Sequence, residues 1–418
     1  MTTQPAETAQ PSATTHPSEM TQTAAPSRTA ETTHPSETTQ TAEPSRTAET
    51  TQTAVTAPSA DATTLPSDET LLPSAQGDLS AATEAPRAAL LVPGTQAVVA
   101  VAVSTAWVSP DAPRPDIDDP ALTAPVDPDA WNTKLCDDET RGALLPLLET
   151  QALYGALVQV DEVRGDWVRG VVLGQGTTRD ARGYPGWLPA GHLVVDREFA
   201  HRVRMAPRAL VTAPLAELAV GTAPRGEVPA PPARIGYTTM LPVITDDDGR
   251  VPAEDEATVR VALPGGGVAA LRRDDVLLRG GAGEHHDTGS AEAVIADGER
   301  YLGLQYLWAG MTAWGFDCSG FVRAILLAHG IEIARDAGDQ LRASGLPFVE
   351  REDLRRGDLI FFSNGPGAES IRHVAMWIGD GRILHSPNFR RTVVEESLEE
   401  YDVHGEYAGA VRPPYAGA

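Results

Sequence analysis

Tyr306–Phe321 reads YLWAGMTAWGFDCSGF and carries one of only two cysteines in 418 residues. Asp317 is a helix-capping residue placed directly before Cys318. Phe321, Val322, Ile325 and Leu326 then fall at i, i+1, i+4 and i+5, an apolar stripe that buries a helix against a sheet. Gly330 follows, so the expected helix runs from Cys318 to about His329. Cys318 takes its first position, where unpaired N–H groups and the positive end of the helix dipole favour a thiolate. Such placement is expected to bring a thiol down from about 8.5 to roughly 3.5–7.5, particularly beside a histidine. The same N–H groups suit an oxyanion. An inert buried cysteine is the alternative, and the downstream motifs argue against it.

His373 opens HVAMWI, and His385 closes RILH across Gly379-Asp380-Gly381. The register of this hairpin decides whether the two rings meet. A two-residue turn at Asp380-Gly381 opposes His385 to Met376 and sends the rings to opposite faces. A three-residue loop, Gly379-Asp380-Gly381, opposes it to Ala375 and puts both rings on one face. Gly381 suits the left-handed position of such a loop, which is therefore the expectation. Cys318, His373 and His385 then form a nucleophile, a base and an orienting group.

Composition narrows the function classes. The net charge is −25, with 58 acidic against 33 basic residues, which argues against nucleic acid or an anionic membrane as partner. With 41% hydrophobic residues, a packed core is available over two or three domains. Cys136 and Cys318 make no disulfide framework, and Cys136 reads as structural. Free thiols, no apolar run long enough for a membrane span and no visible secretory signal favour a cytoplasmic location. A misassigned start site would make the protein an exported one instead.

Residues 1–86 are rich in Thr, Ala, Pro, Ser and Glu, and the first aromatic residue is Trp107. His16–Thr33 and His34–Thr51 are near-copies of one 18-residue unit without an apolar face, so this tail is expected to be disordered. Short β-type segments follow from about Arg87: Ala97–Val103, Thr105–Val108, Leu144–Leu148, Gln151–Val163, Asp166–Leu173 and Tyr184–Val195, with a loop at Pro110–Asp129. They predict a small all-β domain over 87–197. A second set at Leu210–Thr212, Ile235–Ile244, Ala257–Ala262 and Gly267–Leu271 predicts another over 198–279. After the Gly280–Thr288 linker, a helix capped by Ser290, the Cys318 helix and strands at Leu359–Phe362, Val374–Ile378 and Ile383–His385 predict an α+β domain over 288–418. His285-His286 lacks further ligands, and Asp246-Asp247-Asp248-Gly249 lacks the closing Glu of a calcium loop and reads as a hairpin turn.

Asp317-Cys318-Ser319-Gly320-Phe321, Gly357-Asp358-Leu359-Ile360-Phe361-Phe362 and His373-Val374 with His385 twelve residues on resemble the NlpC/P60 peptidases. The resemblance implies a papain-like fold with a Cys–His–His site and no cofactor or metal. Gln151–Gly155, Gly165–Val168 and Gly183–Pro189 resemble the first bacterial SH3 module of the YkfC-like subgroup, and Ile235–Val243 its second. The expected architecture is thus two SH3-like barrels ahead of the peptidase domain. That subgroup cleaves between γ-D-glutamate and the L-diamino acid of murein peptides with a free N-terminal L-Ala. By motif, the resemblance implies that Tyr306 and Trp308 line the pocket and that Asp317, Ser319 and Asp336 bind substrate. It implies also that Tyr154 closes the site and that an acidic residue of the first module, Asp118 or Asp119, receives the substrate amine. Ala337 stands where the family often has serine. The rival expectations are an exported hydrolase of intact wall, a different amidase or acyl transfer on the same fold, and a non-catalytic wall-binding protein.

Overall fold

The computed structural model describes residues 91–224, 226, 228–245, 257–280 and 288–416, all within one compact unit, Asp78–Ala418. The repeat tail, Asp246–Gly249 and His285-His286 lie outside the described residues.

The chain from Gln96 to Val194 forms a seven-stranded antiparallel sheet. Its spatial order is Leu148–Leu153, Val103–Trp107, Gly183–Pro189, Trp167–Leu173, Leu157–Arg164, Gln96–Val99 and Leu193–Val194. Gln151–Val163 is not one strand, because Gly155 at φ +82° turns the chain back. The expected Pro110–Asp129 loop contains a 3-10 turn at Asp119–Ala121, and helices follow at Pro128–Lys134 and Asp138–Gly142. Asp127 and Asp137 cap these helices through the N–H groups of Ala130 and Thr140.

A helix at Arg197–Met205, unforeseen in the sequence, leads into a second set of short antiparallel strands between Arg208 and Arg279. One core joins this segment to the first sheet, with Tyr154, Phe199, Leu241, Val259 and Leu271 all buried in it.

The C-terminal part is a six-stranded antiparallel sheet under helices. Its order is Phe348–Val349, Tyr407–Val411, Leu359–Ser363, Ile371–Gly379, Arg382–His385 and Val394–Ser397. The helices Ala291–Glu299 and Cys318–Ala328 pack on the face made by Leu359, Phe361, Val374, Met376 and Leu384. Ile360, Phe362, Ala375 and Ile383 make the other face, under Leu398 and Tyr401 of the short helix Leu398–Tyr401. The fold is mixed α/β, with helices gathered around this sheet. Gly320 is forced by packing, because a Cβ there would stand 2.1 Å from the Gly310 carbonyl oxygen. The first turn of the helix thus lies directly against the preceding loop.

The segments are bound together by polar contacts. Arg323 Nη2 donates to the Gly174 carbonyl at 2.7 Å, and the Arg335 N–H to that of Gly176 at 2.8 Å. Asp339 accepts from Thr177 Oγ1 at 3.0 Å and from the Thr178 N–H and Oγ1, both at 2.8 Å. Arg335, 1% exposed, donates from Nε to Thr150 Oγ1 of the first sheet at 3.0 Å and from Nη2 to Asp317 Oδ2 at 2.6 Å. An Arg335→Ala change strands the Asp317 carboxylate without its buried partner. Chemical denaturation is expected to show a loss of about 3–5 kcal/mol, of which a further Asp317→Asn change restores part.

Candidate active site

Cys318 opens its helix as the sequence predicts, and the helix spans Cys318–Ala328. The Asp317 carboxylate caps it, accepting the Gly320 N–H at 2.6 Å. The thiol, 7% exposed, lies by the backbone of the neighbouring strand, where the N–H of Val374 favours its ionised form, as does the N–H of Ser319. His373 is the residue beside Val374, so the thiol and the first imidazole share one end of the Ile371–Gly379 strand.

The hairpin reaches the expected register by a different route. Its turn is the two-residue Asp380-Gly381, with φ +50° and +73° at its two residues and closure at Gly379 opposite Arg382. Such positive angles belong to a tight hairpin turn of the I′ kind. By itself that turn would put the rings on opposite faces. A bulge between Trp377 and Gly379 absorbs one residue, so Trp377 pairs with Ile383 and Met376 with Leu384. His373 and His385 therefore share a face, and His373 Nε2 lies 2.7 Å from His385 Nδ1.

The sequence reading missed the next link. His385 Nε2 lies 2.7 Å from Glu396 Oε1, on the Val394–Ser397 strand. Arg391 holds that carboxylate from Nη1 at 2.8 Å and Nη2 at 3.1 Å. Glu396 sits in an acidic run that looks solvated in sequence, and only strand pairing brings it here. Tyr401 was missed too. Its ring lies 5.2 Å from that of His373 and 4.8 Å from that of His385, and its phenol oxygen accepts from Arg372 Nη1 at 3.0 Å.

Burial sets the electrostatics, against the expectation of a lowered thiol. Burial and the Asp317 charge push the Cys318 thiol up to about 12, and the N–H of Val374, Arg335 and the N–H of Ser319 offset only part of this. Burial holds His373 well below the usual imidazole range, with the charges of His385 and Arg372 adding to it. Burial also lowers His385, against the pull of Glu396. Burial raises the Glu396 carboxyl, but hydrogen bonds from His385 and Arg391 outweigh it and hold the group at about 2. At neutral pH the resting site is thus a thiol, two neutral imidazoles and a carboxylate.

The expected substrate-side residues divide into a group around Cys318 and Arg335 and a group away from it. Tyr306 is buried with its phenol under the influence of Cys318 and Asp317, and its carbonyl accepts from Arg141 Nη1 at 2.9 Å. Trp308 donates from Nε1 to the Leu148 carbonyl at 3.2 Å, which binds it to the first sheet. The polar atoms of Asp317 and Ser319 engage Arg335, whose Nη1 lies 2.9 Å from Ser319 Oγ and 3.2 Å from Asp317 Oδ1. Tyr154 does not close the site. Its ring, 2% exposed, belongs to the core shared with Phe199 and Leu241, because the turn at Gly155 directs it there. The tyrosine of the first sheet that reaches the C-terminal part is Tyr184, whose hydroxyl donates to Asp336 Oδ2 at 2.8 Å. Asp118 is fully buried and its carboxylate is engaged by Arg114 and by Trp131 Nε1, while Asp119 is exposed at a 3-10 turn. The acidic residue of the first sheet beside Tyr184 is Glu149, which Arg179 grips with both terminal nitrogens while its guanidinium lies 5.1 Å over the Tyr184 ring.

The raised thiol has a direct test in a Cys136→Ser protein, where Cys318 is the remaining thiol. Alkylation by iodoacetamide follows the thiolate. The rate is expected to stay low through neutral pH and climb only in the alkaline range. A midpoint below pH 7 overturns this picture of the resting site.

The family model described as NlpC/P60 family matches residues 303–412. A gamma-D-glutamyl-L-lysine dipeptidyl-peptidase of Bacillus cereus is 40% identical over 319 residues, covering 76% of this chain and 91% of the relative. Its counterpart in Bacillus subtilis is 33% identical over 301 residues, covering 72% and 92%. The crystal structure of an NlpC/P60 family protein from Bacillus cereus matches with a TM-score of 0.68 at 40% identity, covering 76% of this chain and 99% of that one. The chain belongs to the NlpC/P60 family and is a peptidase.

Proposed function

We propose that this peptidase hydrolyses the bond between γ-D-glutamate and an L-diamino acid in short murein-derived peptides with a free N-terminal L-Ala. The observation that carries the reading is the cluster in which Glu149 and Tyr184 of the first sheet meet Asp336, the residue next to the Arg335 that holds Asp317. A dipeptidyl-peptidase acts two residues in from a free amine, so it needs anionic groups at that remove from its nucleophile. The two Bacillus relatives bear that name. In the free protein the guanidinium of Arg179 occupies Glu149, and the substrate ammonium competes with it for that carboxylate.

The chemistry follows from the neutral resting state. The Cys318 sulfur attacks the γ-carbonyl carbon as its proton passes to His373. The N–H of Cys318, the first of its helix, and the Tyr306 hydroxyl stabilise the oxyanion. Collapse expels the amine of the diamino acid, which takes the proton from His373 and leaves a thioester. Water, deprotonated by His373, then releases the acid. Trp308 lines the pocket, and Asp317 and Ser319 act through their bonds to Arg335. The reading treats residues 87–197 and 198–279 as two SH3-like modules and 288–418 as the peptidase domain. A site walled by the first module suits small soluble peptides, hence recycling rather than remodelling of intact wall.

Two measurements test this. Cys318→Ala is expected to abolish release of the diamino acid from L-Ala-γ-D-Glu-diaminopimelate. Unchanged hydrolysis refutes the cysteine mechanism and leaves a wall-binding role. Glu149→Gln removes a charge-assisted contact of about 1.5–3 kcal/mol, so kcat/KM for the free-amine peptide is expected to fall about ten- to hundredfold. The N-acetylated peptide is expected to be a poor substrate of both proteins, and equal cleavage of it by the unaltered enzyme rules out amine recognition.

A further inference from the structure

We infer that Glu396, held by Arg391, is a positioning residue that fixes the tautomers of both histidines and so leaves Nδ1 of His373 bare to receive the Cys318 proton. This rests on the reading of Cys318 and His373 as nucleophile and base.

The argument is one of proton counting along two bonds. Glu396 is an ionised acceptor, so the proton in its 2.7 Å contact belongs to His385 Nε2. A neutral imidazole carries one N–H, so His385 Nδ1 is bare and accepts. The proton in the 2.7 Å contact between the rings therefore sits on His373 Nε2. His373 is neutral as well, which leaves its Nδ1 with a lone pair. Arg391 fixes the carboxylate from both sides, and the Tyr401 ring packs on both imidazoles, so neither ring is free to turn.

Without Glu396 the order reverses at little cost. His385 then carries its proton on Nδ1 and donates to His373 Nε2, and His373 holds its own proton on Nδ1. In that form it cannot accept from the thiol. When the relay is intact, transfer of the Cys318 proton to His373 Nδ1 gives a thiolate and an imidazolium, whose charge faces Glu396 through His385. No further reactant is needed.

The test is steady-state kinetics across pH on Glu396→Leu and Glu396→Gln, with imidazole ¹⁵N NMR of histidine-labelled protein. The charged and titratable groups facing the pair are Arg372 from the strand of His373, Tyr401 from the Leu398–Tyr401 helix, with Cys318 acting on that tyrosine, and Arg391 with Glu396. Glu396→Leu is expected to lower kcat about 10²–10⁴-fold with KM held within about threefold. The acid limb of kcat/KM is expected to move to lower pH, since loss of the carboxylate makes the pair less basic, and the His373 resonances to switch from Nε2–H to Nδ1–H. A loss of folded protein alone scales the rate at every pH and moves neither the limb nor the tautomer. Should the leucine variant not fold, Glu396→Gln, of the same shape, carries the test with a smaller loss and the same shift of limb. The inference is overturned if the folded variants keep kcat within twofold, or if His373 stays protonated on Nε2. Inactivity of Cys318→Ala together with active Glu396 variants sinks this inference and leaves the cysteine mechanism standing, whereas an active Cys318→Ala sinks both.

Discussion

The buried pair of Arg335 and Asp317 is the contact through which the site is assembled. Removing two charges from water costs several kcal/mol per ion, so the pair is a poor source of net stability. Its value is geometric. Asp317 caps the helix that opens with Cys318 and accepts from Arg335, and Arg335 donates in turn to Ser319 and to Thr150 of the first sheet. One guanidinium thus sets the height of the Cys318 helix against two segments of the chain. The close approach of Gly320 to Gly310 removes the remaining slack.

The same burial that makes this geometry rigid decides the protonation states. A helix N-terminus draws a thiol toward its ionised form, yet here desolvation and the neighbouring carboxylate win, because the sulfur is nearly sealed. A permanent thiolate–imidazolium pair is therefore not the ground state. On the proposed mechanism charge is created only with substrate present, beside groups already oriented to receive it, which is the sense in which a dry site is preorganised. Glu396 is half-buried and tied by Arg391, so it is the permanent anion of the row.

Much of this was legible in the chain. The capping aspartate, the apolar stripe after Cys318 and the two histidine strands each depend on neighbours a few residues away, and each appears where local rules put it. The hairpin shows the limit of such rules. The shared face of His373 and His385 was inferred correctly, but by a three-residue loop, whereas the chain uses a two-residue turn and a bulge. The motif around Tyr154 points toward the site but in the structure serves the core, while Tyr184 of the neighbouring Gly183–Pro189 motif is the one that meets Asp336. Glu149, Arg335, Arg391 and Glu396 were not legible as site residues. Their partners come from other strands or from the other end of the fold, and nothing in the local pattern of an acidic run or a lone arginine reports that.

The segment Gly174–Arg182 belongs in sequence to the first sheet, yet it gives carbonyls to Arg323 and Arg335, threonines to Asp339 and an arginine to Glu149. Such a loop limits how the protein can be rebuilt by recombination. A peptidase joined to its neighbour by a plain linker can exchange that neighbour for another binding module and keep its own pocket. Here an exchange would also remove the carbonyls that the Arg323 guanidinium and the Arg335 N–H engage, and the threonines that Asp339 engages. Along this seam each segment therefore constrains what the other can become.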